Sequence, residues 1–299
     1  MKKAVAVLFL GLVLLVSACR GAEPTTTPAP TPVAVEPTAK ATEPSPAGTG
    51  QVTNLQDVRL ATVRIQAEGS FYDPDGNLYS TQSDGSGFII DPSGIAITNN
   101  HVVGGAGILR VWVGGDSESR NARILGVSEC ADLAVIDIEG DGYPYLAWYE
   151  GDLNVGLPIY AAGFPLGDPE YTLLQGIISK EKADGESDWA SVDSVIEHTA
   201  LTNPGSSGGP IVTEDGQAVA VHYAGDSEAE QHFAITREQA LPIIEQLRAG
   251  EDVDSIGINP RAVAFEDGLN GIWVTSVKAG SPADKAGIKG GDMITKMPG

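Results

Sequence analysis

The sequence has little of several features that define other classes of protein. Only two of its 299 residues are cysteine, Cys19 and Cys130. Two cysteines cannot build a multi-disulfide scaffold or a zinc site of the usual ligand count, and we expect no metal and no cofactor. No apolar run reaches the 18 residues that suggest a membrane-spanning helix. Basic residues are also scarce, at 18 against 40 acidic ones, so we expect no nucleic-acid partner.

Apolar residues and turn-forming residues are plentiful. Apolar residues make up 42% of the chain, which is enough to form a buried core, and 37 glycines and 19 prolines indicate many turns. Short runs with strand character recur from residue 58 onward, which predicts an all-β fold of barrels or a sandwich. The runs are 58–65, 88–90, 95–98, 109–113, 122–126, 133–138, 158–162, 176–179, 211–213 and 218–221.

The first residues have the pattern of an export signal. A positive start at residues 1–3 precedes 13 apolar residues at 4–16, too few to span a bilayer. The small residues before Cys19 resemble the lipobox of bacterial lipoproteins. That resemblance implies a lipoprotein signal peptide at 1–18 and a lipid on Cys19. The alternative is an ordinary secretory signal with a chance cysteine.

Residues 19–51 have the composition of a tether. The stretch 20–50 contains seven prolines and seven threonines and shows no apolar periodicity. Such a segment buries too little surface to offset its ordering entropy, so it is expected to be an extended, disordered linker. It would hold the next domain away from the membrane.

One segment has a good helix pattern. Thr236 and Gln239 fit a helix N-terminus, apolar residues then recur on one face, and Gly250 is a suitable end. Pro242 fits only in the first turn of a helix, so the helix is expected to begin a few residues after Thr236. This helix would close a domain spanning 52–249.

The sharpest motif is the glycine-rich run 205–210, which contains Ser207. A serine hydroxyl is a poor nucleophile unless a base takes its proton and hydrogen-bond donors await the oxyanion. The N–H groups of Gly205 and Ser207 would be those donors. The alternatives are an ordinary hairpin loop and an anion-binding nest, but no lysine follows as in a phosphate loop.

The base and the residue that orients it have candidates upstream. His101 ends one predicted strand, and Asp132 begins another. A histidine can take the serine proton while a buried carboxylate fixes its tautomer. Taken singly, each residue is more often structural.

Together, the order His101, Asp132, Ser207 resembles that of the chymotrypsin-type serine peptidases. The short sequence motifs around these residues resemble those of the HtrA (DegP-like) branch. The resemblance implies two six-stranded antiparallel β-barrels with a C-terminal helix, His101 and Asp132 coming from the first barrel and Ser207 from the second. It also implies a homotrimeric endopeptidase that cuts unfolded or misfolded proteins through an acyl-enzyme. The motifs that resemble this branch are 84–90, 98–103, 131–136, 163–167, 205–210 and 233–235.

The same resemblance indicates the substrate-binding residues. Leu201, at the pocket base, predicts preference for a small aliphatic side chain on the acyl side of the cut. A later strand would pair with the substrate backbone. His222 stands where the family has a small polar residue. Its side chain would either narrow the pocket or, on the simpler interpretation, point outward. The substrate-binding set is Leu201, Thr202, Asn203, Val221, His222 and Tyr223.

Three further residues have no assigned chemistry. His198 and His232 lack metal-ligand spacing and are expected to be structural. Cys130, two residues before Asp132, is expected to be a buried thiol.

Residues 254–299 resemble the first half of a PDZ domain, as found behind HtrA peptidases. Ile256, Gly257 and Ile258 would be its carboxylate-binding loop, which captures peptide C-termini. The alternative is a short β appendage, and we expect the sequence to be truncated here.

The whole pattern predicts an extracytoplasmic serine endopeptidase, lipid-anchored to the bacterial cell envelope. One competing hypothesis is a non-catalytic peptide-binding chaperone or scaffold that keeps the protease fold. Another is an adhesin on a Thr/Pro stalk.

Overall fold

The structure is a computed structural model that describes residues 50–72, 78–187, 190–226, 231–253, 255–264 and 270–296. The predicted signal peptide and all but the last two residues of the predicted linker lie outside these ranges. No helix in the described ranges is long and apolar enough to cross a membrane.

The first barrel contains six antiparallel strands. Their order around the closed barrel is β1-β2-β3-β6-β5-β4. Alternating apolar residues fill its interior, because successive side chains of a strand point to opposite faces. The turn at Asp91 and Gly94 joins two of the strands, and Gly94 has the positive φ that such a turn favours. The strands are β1 (Thr62–Tyr72), β2 (Leu78–Ile89), β3 (Ile95–Thr98), β4 (Ala106–Val113), β5 (Arg120–Ser128) and β6 (Leu133–Ile138).

The prediction of a strand over 58–65 is wrong in its first half. A single helical turn, α1 (Val58–Ala61), precedes β1. Val58 and Ala61 are three positions apart and both fully buried, so one turn of helix places them on the same face. The Thr62 hydroxyl donates to the Val58 carbonyl at 2.9 Å. A second single turn, α2 (Asn100–Val103), follows β3.

The second barrel also contains six antiparallel strands, in the closed order β10-β11-β12-β9-β8-β7. The expected all-β double barrel is therefore confirmed. The strand β10 has three residues and begins at Pro210, the last residue of the glycine-rich run. The strands are β7 (Pro158–Gly163), β8 (Thr172–Glu186), β9 (Ser191–His198), β10 (Pro210–Val212), β11 (Ala218–Asp226) and β12 (Gln231–Thr236).

The long helix α3 (Arg237–Arg248) packs against β5 and β6 of the first barrel and against β11 and β12 of the second. Its N-cap is Thr236, whose hydroxyl accepts from the Gln239 N–H at 3.4 Å. The helix nevertheless begins at Arg237, so the expectation of a later start is wrong. Pro242 lies inside the helix and is exposed. Gly126 allows the close approach, since a Cβ there would lie 3.0 Å from the Leu247 Cα.

The remaining described residues form a small antiparallel sheet of order β13-β14-β15. A short helix lies between its second and third strands. The elements are β13 (Ile258–Ala264), β14 (Asn270–Val277), α4 (Pro282–Lys285) and β15 (Met293–Ile294).

Candidate active site

His101 and Asp132 form a bidentate pair. The His101 Nδ1 lies 2.6 Å from the Asp132 Oδ2, and the His101 backbone N–H donates to Oδ1 at 2.8 Å. The Asp132 side chain is 1% exposed and that of His101 is 16% exposed. Two contacts from one residue to one carboxylate fix the position and the orientation of the ring.

The backbone of Asp132 is held in an unusual conformation. Its φ is +51°, in the left-handed region that non-glycine residues rarely adopt. The Asp132 carbonyl accepts from the Asn99 side-chain amide at 2.8 Å and from the Asn100 N–H at 3.1 Å. These two bonds tie the turn before β6 to the end of β3, where His101 follows.

Burial raises the pKa of Asp132, and the attraction and hydrogen bonds of His101 oppose that shift. A carboxylate removed from water is therefore stabilised by the ring beside it, most strongly when the ring is an imidazolium. The His101 ring and backbone N–H are therefore the main compensation for the burial of the Asp132 carboxylate.

Ser207 lies in a loop that requires glycine on both sides. Gly205 has φ +93° and Gly208 has φ +84°. A Cβ on Gly208 would collide with the Ser86 carbonyl and lie 3.0 Å from the Asn99 N, two residues before His101. The Ser207 loop of the second barrel therefore packs directly on the end of β3, just before the helical turn α2 that contains His101. His101 thus follows the strand that it was expected to end.

Ser86 of β2 holds this loop to the first barrel. Its backbone N–H donates to the Ser207 carbonyl at 2.8 Å, and its hydroxyl donates to the Gly205 carbonyl at 2.7 Å. The same hydroxyl accepts from the Phe164 N–H at 2.9 Å. Ser86 lies in the motif 84–90 that resembles the family, but the sequence analysis assigned it no role.

The Pro204–Gly205 peptide is also fixed. The Pro204 carbonyl accepts from the Leu166 N–H at 2.6 Å. In a trans peptide the N–H points opposite to the carbonyl, so the Gly205 N–H points away from that backbone segment. Both predicted oxyanion donors, Gly205 and Ser207, thus belong to one rigid turn.

A narrow pocket beside Ser207 differs from the one expected. Thr202, Ser206 and His222 supply its polar lining. Leu201, expected at the base, is instead 61% exposed, so the structure contradicts that placement. Its other lining residues are Ala161, Ala162, Gly163, Pro165, Thr172 and Leu174.

Part of the predicted substrate-pairing segment already has backbone partners. Val221 already pairs with Pro210 on one side and Ile235 on the other. The His222 backbone exchanges hydrogen bonds with Gly208 and Gly209. The stretch 224–226 of β11 pairs with β12 and with no other described strand.

Three histidines that are distant in sequence pack together behind the pocket. The ring centroids of His198, His222 and His232 are 5.4, 5.8 and 6.4 Å apart, and all three residues are buried. The expectation that His222 points outward is wrong. The sequence did not reveal the cluster, because its members lie on three different strands. His198 is the last residue of β9, His222 lies in the middle of β11, and His232 is near the start of β12.

One residue just before Asp132 differs from expectation, and another makes a contact that was not expected. Cys130 is exposed, not buried. Glu129 contacts the small C-terminal sheet, where its carboxylate accepts the backbone N–H groups of Ile256, Gly257 and Ile258 at 2.9–3.1 Å. No sequence pattern pointed to Glu129.

Known proteins are similar to this chain over the same region. The family model described as a trypsin-like peptidase domain matches residues 85–221, which include His101, Asp132 and Ser207. A probable periplasmic serine endoprotease, DegP-like, from Chlamydia pneumoniae is 36% identical over 72% of this chain and 46% of its own length. The serine protease Do-like HtrB of Bacillus subtilis is 34% identical over 68% of this chain and 50% of its own length.

A solved structure agrees with this likeness. The HtrA-type protease AlgWS227A with a decapeptide has a TM-score of 0.58 and 26% identity over 78% of this chain and 80% of that one. The chain spans about half the length of the curated relatives it matches. With the double barrel and the His101–Asp132 pair, these similarities show that the chain belongs to the HtrA (DegP-like) family of serine proteases.

Proposed function

We propose that this chain is a serine endopeptidase that cleaves unfolded or misfolded proteins outside the cytoplasm. The single observation that carries the proposal is the buried His101–Asp132 pair beside the loop of Ser207. His101 would take the Ser207 proton as the hydroxyl attacks the peptide carbonyl, then give it to the leaving amine. The N–H groups of Gly205 and Ser207 would bind the oxyanion, and water would hydrolyse the acyl-enzyme.

The test is covalent labelling by a fluorophosphonate, with the labelled residue identified by mass spectrometry. We expect the label on Ser207 and none on the Ser207→Ala variant. That variant should also cleave unfolded casein up to about a millionfold more slowly, the loss typical of an inactivated triad. Casein cleavage by Ser207→Ala at the wild-type rate would refute the assignment. The competing chaperone hypothesis predicts no label, and no observation in the structure favours it.

The location and assembly belong to the same proposal. Relatives named periplasmic support a site outside the cytoplasm, and the signal pattern supports a lipid on Cys19 that anchors the chain through its Thr/Pro linker. Metabolic labelling with a palmitate analogue should mark the wild type and not Cys19→Ser. A homotrimer, also proposed, is tested by light scattering.

A further inference from the structure

A wide cleft lies between the first barrel and the small C-terminal sheet. Its volume is about 1020 Å³, and none of His101, Asp132 and Ser207 lines it. Ile108 is 48% exposed in this cleft, so part of its apolar surface is open to solvent. A concave surface with apolar walls and a few polar groups is the usual form of a ligand site. The apolar residues that line it are Ile108, Ile124, Leu125 and Val127 of the barrel and Ile258 and Val277 of the sheet.

One end of this cleft is a cradle of hydrogen-bond donors at the start of β13. The backbone N–H groups of Ile256, Gly257 and Ile258 converge on one point, and the Ser255 hydroxyl converges on it as well. Gly257 has φ +82°, the left-handed conformation that turns successive N–H groups to the same side. Such a nest of N–H groups binds an anion.

The anion in this nest is the side chain of Glu129. Its Oε1 accepts from the N–H groups of Gly257 and Ile258, each at 2.9 Å, and its Oε2 accepts from the Ile256 N–H at 3.1 Å. The ion pairs of the described residues do not include Glu129. The donors of the nest are therefore what stabilises this carboxylate.

Glu129 and the nest belong to different parts of the chain. Glu129 lies in the turn between β5 and β6 of the first barrel, more than 120 residues before the nest. Glu129 is only half-buried, and Ile256 is exposed, so water reaches both sides of the contact. The side chain of Glu129 can therefore leave the nest by rotation about its own bonds, while β5 and β13 keep their structures.

The nest and the apolar walls together match one chemical group. The C-terminus of a peptide carries a carboxylate, as Glu129 does, and a side chain directly beside it. Ile258 belongs to the nest and also lines the cleft, so a carboxylate on the nest places the neighbouring side chain at an apolar wall. A free carboxylate with an apolar last side chain satisfies both parts of this surface.

We propose that the cleft between the first barrel and the small sheet binds the C-terminus of a peptide, and that Glu129 is an internal competitor for it. The terminal carboxylate of the peptide replaces the Glu129 carboxylate on the same donors, and the last side chain enters the apolar cleft. Carboxylate binding at 256–258 was an expectation from the sequence, whereas competition by a residue of the barrel was not.

The competition has a measurable effect on affinity. A peptide binds only to molecules in which Glu129 is outside the nest, so the apparent dissociation constant is the intrinsic one divided by the fraction of such molecules. Removal of the competing carboxylate raises that fraction and tightens the binding of a free acid. A C-terminal amide lacks the charge for which the nest is built and gains little.

The first test measures, by titration calorimetry, the binding of a neutral hexapeptide ending in Val, as free acid and as C-terminal amide. The protein is the full chain with Ser207→Ala, so that the peptide is not cleaved and the outcome does not depend on the proposed peptidase function. In Glu129→Gln we expect the free acid to bind at least fivefold more tightly and the affinity for the amide to be unchanged. Glu129→Ala, which removes the competing oxygens altogether, should have at least the same effect.

The control for a general effect of charge is Glu118→Gln. This residue is exposed in the loop between β4 and β5, and the change removes the same negative charge at a distance from the nest. We expect it to leave both affinities unchanged. Equal affinity for the acid in the parent and in the two Glu129 variants, or no binding of the acid to any of them, contradicts the proposal.

The second test follows the Glu129 side chain itself and needs no variant at the nest. Carbodiimide coupling to a glycine ester modifies accessible carboxylates, and mass spectrometry of protein fragments measures residue 129 separately from the peptide. Saturating acid peptide should raise the modification of Glu129 at least threefold, the amide peptide should not, and Glu118 should react equally in all samples. Unchanged or reduced modification of Glu129 when the acid peptide is bound would overturn the competition, and this result decides the question even if the Glu129 variants fail to fold.

Discussion

The Ser86 hydroxyl donates to the Gly205 carbonyl at 2.7 Å and thereby joins a strand of one barrel to the nucleophile loop of the other. Ser86 is fully buried, and its hydroxyl also accepts the Phe164 N–H. One side chain thus fixes two backbone segments that border Ser207.

Ser86→Ala is expected to lower kcat at least tenfold. The change removes the side-chain partner of the Gly205 carbonyl and of the buried Phe164 N–H, which costs about 1–3 kcal/mol and loosens the Ser207 loop. Paired measurements of kcat and thermal unfolding test this, with Ser83→Ala on the same strand as the control. An unchanged kcat would show that the backbone bond between Ser86 and Ser207 suffices.

Asp132→Asn should lower kcat by about 10⁴-fold, as expected for a triad in which the orienting carboxylate becomes an amide. The amide keeps the shape of the side chain but cannot stabilise an imidazolium on His101. Kinetics on a casein substrate measure the loss, and circular dichroism confirms that the fold is kept. A loss below tenfold would mean that His101 does not depend on this carboxylate.

The buried histidines should make the protein less stable as the pH falls. Burial holds the pKa of His198 at about 3, below the value of about 6.5 expected in the unfolded chain. Between these two pH values His198 binds a proton in the unfolded state but not in the folded state. Its effect on the free energy of unfolding is therefore absent above pH 6.5, and below pH 6.5 it lowers the stability of the fold. At pH 5 the loss from His198 alone is about 2 kcal/mol.

Urea unfolding at pH 7.5 and pH 5 measures this loss. His198→Gln, which cannot titrate, should reduce the difference between the two pH values. An identical difference in the variant and the wild type would locate the acid sensitivity elsewhere.

Thr236→Ala should destabilise the domain by about 1 kcal/mol, because the hydroxyl caps the first turn of α3. Urea midpoints compare it with Glu245→Ala, an exposed change on the same helix. Equal destabilisation by the two substitutions would mean that the Thr236 hydroxyl does not stabilise α3.

The sequence was sufficient to predict features that depend on neighbouring residues. The glycines around Ser207 and the Thr236 cap are local signals, and each predicted the structure that it forms. The short strands likewise predicted an all-β fold of barrels or a sandwich, and the family resemblance reduced this choice to two barrels. Pro242 was misleading, because the exposed side of α3 accommodates a proline after the first turn.

Features made by distant segments were not predictable in this way. The histidine cluster joins three strands, and no single window contains more than one of its members. Leu201 and Cys130 were assigned by analogy of position, yet the side-chain directions depend on loops that local patterns do not fix. The contact of Glu129 with residues 256–258 could not be predicted, because the sequence does not show which surface of the first barrel lies against this segment.

The position of α3 in the chain has a consequence for biosynthesis. Residues 237–248 come after every strand of both barrels, and their apolar face rests on both. During translation, His101 and Asp132 therefore leave the ribosome long before the element that bridges the two halves. A chain that stops short of this helix would lack the contacts by which α3 joins its two barrels.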